Sequence, residues 1–194
     1  MKFAALSTSL ILLAILAFAA SAPVSADDPR LEESRSLVQS FAARLKGELK
    51  KGLEQGGPVA AVNICKDVAP QIASELSRRS GARVMRTSLR YRNPGNAPED
   101  WQVRVLEDFE SRAAALENPA PLEYFVTGKD GRVRYMSAIR IDGICLACHG
   151  ETLAPPLQER LDAEYPHDRA TGYRSGDVRG AFSVSWPPDD PAGS

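Results

Sequence analysis

The 194-residue sequence lacks several features that common classes of protein require. It contains two histidines, and it has neither a Ser-His-Asp arrangement nor a glycine-rich loop for phosphate, so we do not expect an enzyme. Its 24 basic and 25 acidic residues are interspersed without a long basic block, which argues against nucleic acid as a partner. Internal repeats and low-complexity linkers are also missing. The sequence therefore predicts one domain and not an array of repeats.

Long apolar runs are scarce too, and the longest lies near the start of the chain. Lys2 precedes an apolar run at residues 10–20, and Val24-Ser25-Ala26 offers small residues for cleavage. The run is shorter than the roughly 20 residues of a membrane span, and no cysteine near the cleavage site can accept a lipid. These features predict a signal peptide at residues 1–26 and a periplasmic mature protein without stable membrane insertion. An uncleaved anchor is the alternative.

Two long segments show the spacing of apolar residues that is typical of amphipathic helices. The first ends at Gly56-Gly57-Pro58 and predicts a long N-terminal helix. A shorter helix is expected at residues 68–81, where Gly81 ends it. The second long segment begins near Pro98. The apolar stripes of the two long helices are Leu37, Phe41, Leu45, Leu49 and Leu53, and Trp101, Val105, Phe109 and Leu116.

Shorter apolar stretches predict strands. The first two are residues 59–64 and 82–88, so Cys65 is expected where a strand meets a helix. Residues 122–126 and 133–141 alternate in polarity around Asp130-Gly131, a pair that is typical of a hairpin turn. Residues expected to share a face are Val133, Tyr135, Ile139 and Ile141 in one strand, and Phe182, Val184 and Trp186 in the last.

These elements together predict the fold class and the limits of the domain. Helices and strands of this kind bury their apolar faces most simply as an α+β fold, in which helices back a small antiparallel sheet. We expect one domain at residues 27–186, after the signal peptide. The polar, proline-rich residues 187–194 are expected to form a flexible tail.

Three cysteines are an odd number for a compartment that oxidises unpaired thiols. Two belong to the motif Cys145-Leu146-Ala147-Cys148-His149, whose thiols can add to the two vinyl groups of one porphyrin while the histidine reaches its iron. A redox dithiol or a plain disulfide does not require His149, and a zinc site needs two more ligands. The motif predicts one covalent haem c between sheet and helix, with His149 as an axial ligand.

Four side chains are candidates for the second axial ligand: His167, Met85, Met136 and Cys65. The methionines lie in apolar strands, where thioethers commonly fill core space, and His167 lies in a polar segment typical of a loop. Cys65 is the thiol left over from the motif. Its expected position at a helix start beside Lys66 favours the thiolate. The sequence therefore favours Cys65 and leaves the other three as alternatives.

Three segments carry a resemblance that covers most of the mature chain. They read AVNICKDVAPQIASELS at residues 61–77, VMRTSLRYRNPGNAPEDW at 84–101 and CLACHG at 145–150. With them the chain resembles the PAS-like c-type haem domains of bacteria and cyanobacteria, which occur as single exported proteins and as sensor modules of signalling proteins. The resemblance implies a PAS-like fold whose haem is ligated by the motif histidine and by a cysteine that matches Cys65.

Polar residues of the second segment are candidates for the wall of the haem pocket. They are Arg86, Arg92 and Asn93. A partly buried haem propionate needs cationic or amide partners, and a bidentate arginine is chemically suitable. The alternative is that these arginines are solvated on a loop.

Two classes of function remain after these exclusions. With thiolate and imidazole on the iron, the protein is expected to sense redox state or a gas, because reduction weakens the iron–sulfur bond and opens a coordination position. In the alternative, both ligands stay bound and the protein is a small electron-transfer cytochrome c. Either function requires a redox or signalling protein as partner, because the sequence contains no fused output domain.

Overall fold

The structure, a computed structural model, describes residues 28–115 and 121–188. The predicted signal peptide, Leu116 and residues 189–194 of the predicted tail lie outside the described residues. No helix within these ranges is long and apolar enough to cross a membrane. In chain order the elements are α1 (Pro29–Asn63), a π-helical turn (Ile64–Val68), α2 (Ala69–Ser80), β1 (Arg83–Thr87), α3 (Asp100–Ala115), β2 (Glu123–Thr127), β3 (Val133–Arg140), α4 (Gly143–His149), α5 (Pro155–Glu164) and β4 (Val178–Trp186).

The N-terminal helix α1 is longer than predicted and has a kink towards its C-terminal end. Asp28 caps its start by accepting a hydrogen bond from the Arg30 amide at 3.0 Å. The kink lies at Gly57, whose φ of 66° is readily adopted only by glycine. Pro58 follows and restarts the helix, because the N–H that proline lacks has no partner at a first helical position. The strand predicted for residues 59–64 is therefore wrong, and these residues are helical.

A single π-helical turn joins α1 to α2, and Cys65 lies within this turn. The chain stays helical on both sides, so the predicted position of Cys65 at a helix start after a strand is also wrong. Turns of this kind are rare and occur frequently at functional sites. α2 ends as predicted at Gly81, which has a φ of 77°.

The four strands form one antiparallel sheet with the order β1-β4-β3-β2. β2 and β3 form the predicted hairpin, in which Gly131 has a φ of 74° and its amide donates to the Gly128 carbonyl at 2.9 Å. The antiparallel sheet and the long N-terminal helix confirm the predicted α+β class.

Helices cover both faces of the sheet. On one face, α1 and α2 pack against the predicted stripe of β4, where the Trp186 indole donates to the Ser34 hydroxyl at 2.9 Å. This buried bond ties the end of β4 to α1. On the other face, α3 packs through its predicted stripe, with Trp101 partly buried. The first core includes Val38, Phe41, Ile72, Leu76, Val84, Val133, Tyr135, Phe182 and Val184, and the second includes Val105, Leu106, Phe109, Met136 and Ala181.

The segments after β3 differ most from the predicted organisation. Ile141 lies beyond the end of β3 and does not share its face, because the pairing with β4 shifts register after Ile139. Ile141 packs instead with Ala170 and Tyr173. The predicted elements include neither α4, which carries the whole cysteine motif, nor α5.

Candidate functional site

A cleft between α1 and the sheet brings most of the predicted site residues together. Its cavity volume is about 180 Å³, and the cleft opens to solvent. Its walls are mainly apolar and come from α1, the π-helical turn, β1, β4 and α4. The apolar lining includes Leu45, Leu49, Leu53, Val62, Ile139, Ile144 and Phe182.

The cleft is lined by the two cysteines and the histidine of the cysteine motif, Cys145, Cys148 and His149. α4 is helical from Gly143 to His149, so the two thiols three positions apart lie on neighbouring turns of one helix. The Cys145 thiol donates a hydrogen bond to Asp142 Oδ1 at 3.1 Å. Burial raises the pKa of both Cys145 and Cys148. Both side chains are therefore neutral thiols at physiological pH.

His149 is held in the form that a metal ligand needs. Its Nδ1 lies 2.6 Å from the Ala170 carbonyl oxygen and 3.3 Å from Arg179 Nε. The shorter contact requires a proton on Nδ1, so Nδ1 donates to the carbonyl and cannot accept from Arg179. Burial, followed by the positive charges of Arg179 and Arg92, lowers the pKa of His149 well below its ordinary value. The imidazole is thus neutral, with its Nε2 lone pair free to bind iron.

The loop that carries the Ala170 carbonyl is fixed by a buried ion pair. Arg92 Nε lies 2.9 Å from Asp168 Oδ2, and both side chains are less than 10% exposed. Asp168 also accepts from the Ala170 amide at 2.8 Å, and Arg92 donates to the Cys148 carbonyl at 2.7 Å. Arg92 therefore lines the cleft as predicted, but its charge is balanced by Asp168, and it orients the partner of His149.

Of the four candidates for the second axial ligand, Cys65 lines the cleft. The others do not occur among the described residues of its lining: Met136 is buried under α3, Met85 lies on β1 and His167 is exposed. Lys66 does not point its charge at Cys65 as expected, because it forms an ion pair with Glu164 at the end of α5. The structure thus places Cys65 in the same cleft as the motif. The two features that favoured Cys65 in the sequence, a helix start and the charge of Lys66, are not found there.

Arg86 and Asn93 also line the cleft, with different surroundings. The Asn93 side chain accepts from the Gly95 amide at 2.8 Å and so caps a short helical turn. Arg86 packs over the Phe41 ring at 5.8 Å, and within the described residues its guanidinium has no hydrogen bond or ion pair. Burial lowers the pKa of Arg86, and the nearby Cys65 and Tyr165 partly oppose this effect. Arg86 is therefore a cation in the cleft that pairs with no carboxylate of the described residues.

Arg179 and Tyr165 also line the cleft, and neither was predicted as a site residue. Arg179 donates to the Ser88 hydroxyl at 3.0 Å and to the Arg90 carbonyl at 3.1 Å, which keeps its charge beside His149. Tyr165 is buried at the end of α5. Arg179 could have been identified from the sequence as a basic residue near the start of the last predicted strand. Tyr165 could not, because the residues around it are typical of a polar loop.

Comparison with known proteins gives two matches. The model of the Tll0287-like family matches residues 23–187. The crystal structure of the cyanobacterial haem protein Tll0287 superposes with a TM-score of 0.66 at 27% sequence identity, covering 85% of this chain and 99% of that chain. No curated protein matches the chain. Because the family model covers most of its length, the chain belongs to the Tll0287-like family.

Proposed function

We propose that this protein is a periplasmic c-type haem protein, with one haem joined to Cys145 and Cys148 and ligated by His149 and Cys65. The observation that carries the proposal is the meeting of these four side chains at one cleft, with His149 neutral and its Nε2 free. The likeness to a haem protein supports haem as the cofactor. The periplasmic location rests on the pattern of residues 1–26.

The residues of the cleft fit a haem in their chemistry. Apolar side chains from α1 and β4 suit the faces of a porphyrin, and the unpaired Arg86 suits a propionate. Haem supplies a redox-active iron whose potential and affinity for further ligands depend on its axial donors. Ala170 and Arg179 fix the protonation and charge around His149, while the π-helical turn presents Cys65.

Redox or gas sensing is the function that this ligand set supports best, and we do not propose catalysis. A thiolate stabilises ferric iron, so reduction weakens its bond to iron and can release Cys65. Cys65 lies in a rare π-helical turn between two helices, a feature that is frequent at functional sites. A redox or signalling protein then reads the change. A PAS-like fold, as the resemblance implies, would agree with this use.

Electron transfer by a small cytochrome c is the second candidate. One observation favours it: Ile144, next to Cys145, is 45% exposed at the mouth of the cleft. A haem joined at Cys145 would therefore have an edge near the surface, where a redox partner can dock. In this case Cys65 stays bound in both oxidation states.

The proposal is tested with the wild type and Cys65→Ser, both produced in a host that matures cytochrome c. Acid–acetone extraction should leave the haem on both proteins, because thioether bonds do not depend on Cys65. The ferric wild type should show a thiolate-to-iron charge-transfer band and a low-spin resonance of small anisotropy, and the variant should lose both. Haem extracted from the wild type would overturn covalent attachment, and unchanged spectra in the variant would assign the ligand to His167 or a methionine.

Absorption spectra of the reduced wild type with and without CO separate the two functions. Binding of CO supports sensing, because it requires an open position on the iron. A reduced spectrum that CO does not change supports electron transfer with both ligands bound.

A further inference from the structure

The end of α5 is held against the turn that carries Cys65. Lys66 forms an ion pair with Glu164, and the Asn63 side chain accepts from Arg160 at 2.9 Å. These contacts lie on both sides of Cys65 in the sequence, and Glu164 is the residue before Tyr165. Tyr165 is thereby placed beside the Cys65 turn.

Tyr165 itself has a largely buried ring, and its side chain lines the cleft. Only 7% of the residue is exposed, and its ring packs in a cluster with Val62, Leu157 and Leu161, to which Cys148 also packs. Within residues 28–115 and 121–188 its hydroxyl makes no hydrogen bond, although it lines the cleft. A phenol hydroxyl that faces a cleft without a protein partner is available to donate a hydrogen bond to a ligand there.

The Tyr165 hydroxyl shares the cleft with the Cys65 side chain. Burial is the largest cause that raises the pKa of Tyr165 to about 12. The hydroxyl therefore keeps its proton and can donate a hydrogen bond to a group in the cleft.

We propose that the Tyr165 hydroxyl is a hydrogen-bonding subsite for a small diatomic ligand that takes the position of Cys65 on the iron. The proposal rests on the proposed function and extends it, since it names the class of ligand and the residue that recognises it. In the exchange the iron–sulfur bond breaks and sulfur keeps the electron pair, which takes up a proton from water. The lone pair of the incoming ligand forms the new bond, so no electron is transferred. A ligand that can accept a hydrogen bond is favoured over one that cannot.

The test uses CO on the reduced holoprotein and compares Tyr165→Phe with Tyr124→Phe. Tyr124 lies on β2, is not part of the described lining of the cleft and packs against Trp101 with ring centroids 6.3 Å apart, which makes the second variant a matched control. Loss of the Tyr165 hydroxyl should raise the C–O stretching frequency, because the donor no longer polarises the ligand. CO should also dissociate about fivefold faster, as expected for one lost hydrogen bond. The Tyr124 variant should match the wild type in both measurements.

The outcomes separate the failure of this inference from that of the proposed function. CO that binds with the same frequency and rate in Tyr165→Phe and wild type would overturn the inference and leave gas sensing intact. If the reduced wild type does not bind CO, the gas-sensing proposal is lost, and the subsite is then measured in Cys65→Gly with and without Tyr165→Phe. Equal frequencies in that pair overturn the inference as well.

Discussion

Arg86 and Arg92 are separated by six positions and have similar chemistry, but the fold gives them different surroundings. The guanidinium of Arg92 is buried with Asp168, and together they hold the loop that orients His149. Arg86 has no such carboxylate among the described residues and remains available to an anion in the cleft. Arg92 therefore stabilises the loop beside His149, whereas Arg86 is available to bind an anionic group of a cofactor.

We expect the Arg86→Ala and Arg92→Ala variants to fail in different ways. Arg86→Ala should lower the midpoint potential, because a positive charge near the haem stabilises the more negative ferrous state.

Arg92→Ala should lower the free energy of unfolding by about 3 to 5 kcal/mol, since it leaves Asp168 buried and unpaired. Redox titration and chemical denaturation measure the two effects.

Arg83→Ala is the control for both measurements, because Arg83 lies on the same strand as Arg86 and is exposed. It should change neither quantity appreciably. Equal potentials for wild type and Arg86→Ala would remove Arg86 from the propionate site. A fully stable Arg92→Ala would show that the ion pair does not hold the loop.

Residues of the site could be predicted where their chemistry is local in sequence. The spacing of Cys145, Cys148 and His149 and the leftover thiol of Cys65 singled out four side chains that line one cleft in the structure. The distinct surroundings of Arg92 could not be predicted, because its partner Asp168 is 76 positions away. Arg179 was missed for the same reason, since its place beside His149 depends on the pairing of β4.

At the scale of elements, the errors concern short apolar segments. Residues 59–64 are apolar enough for a strand, and a run of this length does not distinguish a strand from a helix. The helix was predicted to end at Gly56-Gly57-Pro58, but the chain is only kinked there, because Pro58 restarts a helix. α5 escaped notice because its few buried residues, Leu157 and Leu161, form too short a stripe. The long stripes of α1 and α3 and the Asp130-Gly131 hairpin were predicted correctly, because their periodicity extends over many residues.

The contact between α5 and the π-helical turn gives a prediction about ligand release. Glu164 forms an ion pair with Lys66 of the turn and another with Arg160 within α5, so Glu164→Gln weakens the ion pair that holds the turn. Cys65 should then leave the iron more readily, and the CO affinity of the reduced protein should rise. The rise should be less than about fivefold, because these side chains are largely at the surface. CO titration measures it.

Glu159→Gln is the matched control on the same helix. Glu159 is exposed and has no ion pair within the described residues. Its substitution should leave CO affinity unchanged. An equal change in both variants would indicate a general effect of charge, and no change in either would show that α5 does not restrain the turn.

At the scale of the whole molecule, the two proposed ligand-bearing segments are far apart in the chain. Cys65 and Cys145 are 80 positions apart, with α3 and the β2–β3 hairpin between them. Binding of both to one haem would close this segment into a loop also in the unfolded chain. Closing a loop of roughly 80 residues is worth up to about 4 kcal/mol in the chain-entropy model.

We therefore expect the ferric protein to have a higher free energy of unfolding than the ferrous protein. Guanidinium denaturation of both oxidation states under anaerobic conditions measures the difference. Cys65→Ser should lose most of it, because the loop is no longer closed at Cys65 in either state. If Cys65→Ser keeps the full difference in free energy of unfolding between the two oxidation states, the difference is due to His149 and not to Cys65.

The order of the strands has a consequence for contact between copies of the protein. β1 and β2 are the edges of the described sheet, and each has five residues, whereas β3 has eight and β4 has nine. Edge strands can recruit strands from other molecules through their unpaired backbone groups, and short, charged edges reduce this tendency. Arg83 on β1 and Glu123 on β2 supply such charges. The sheet is thus poorly suited to strand addition, and with it to the growth of cross-β aggregates.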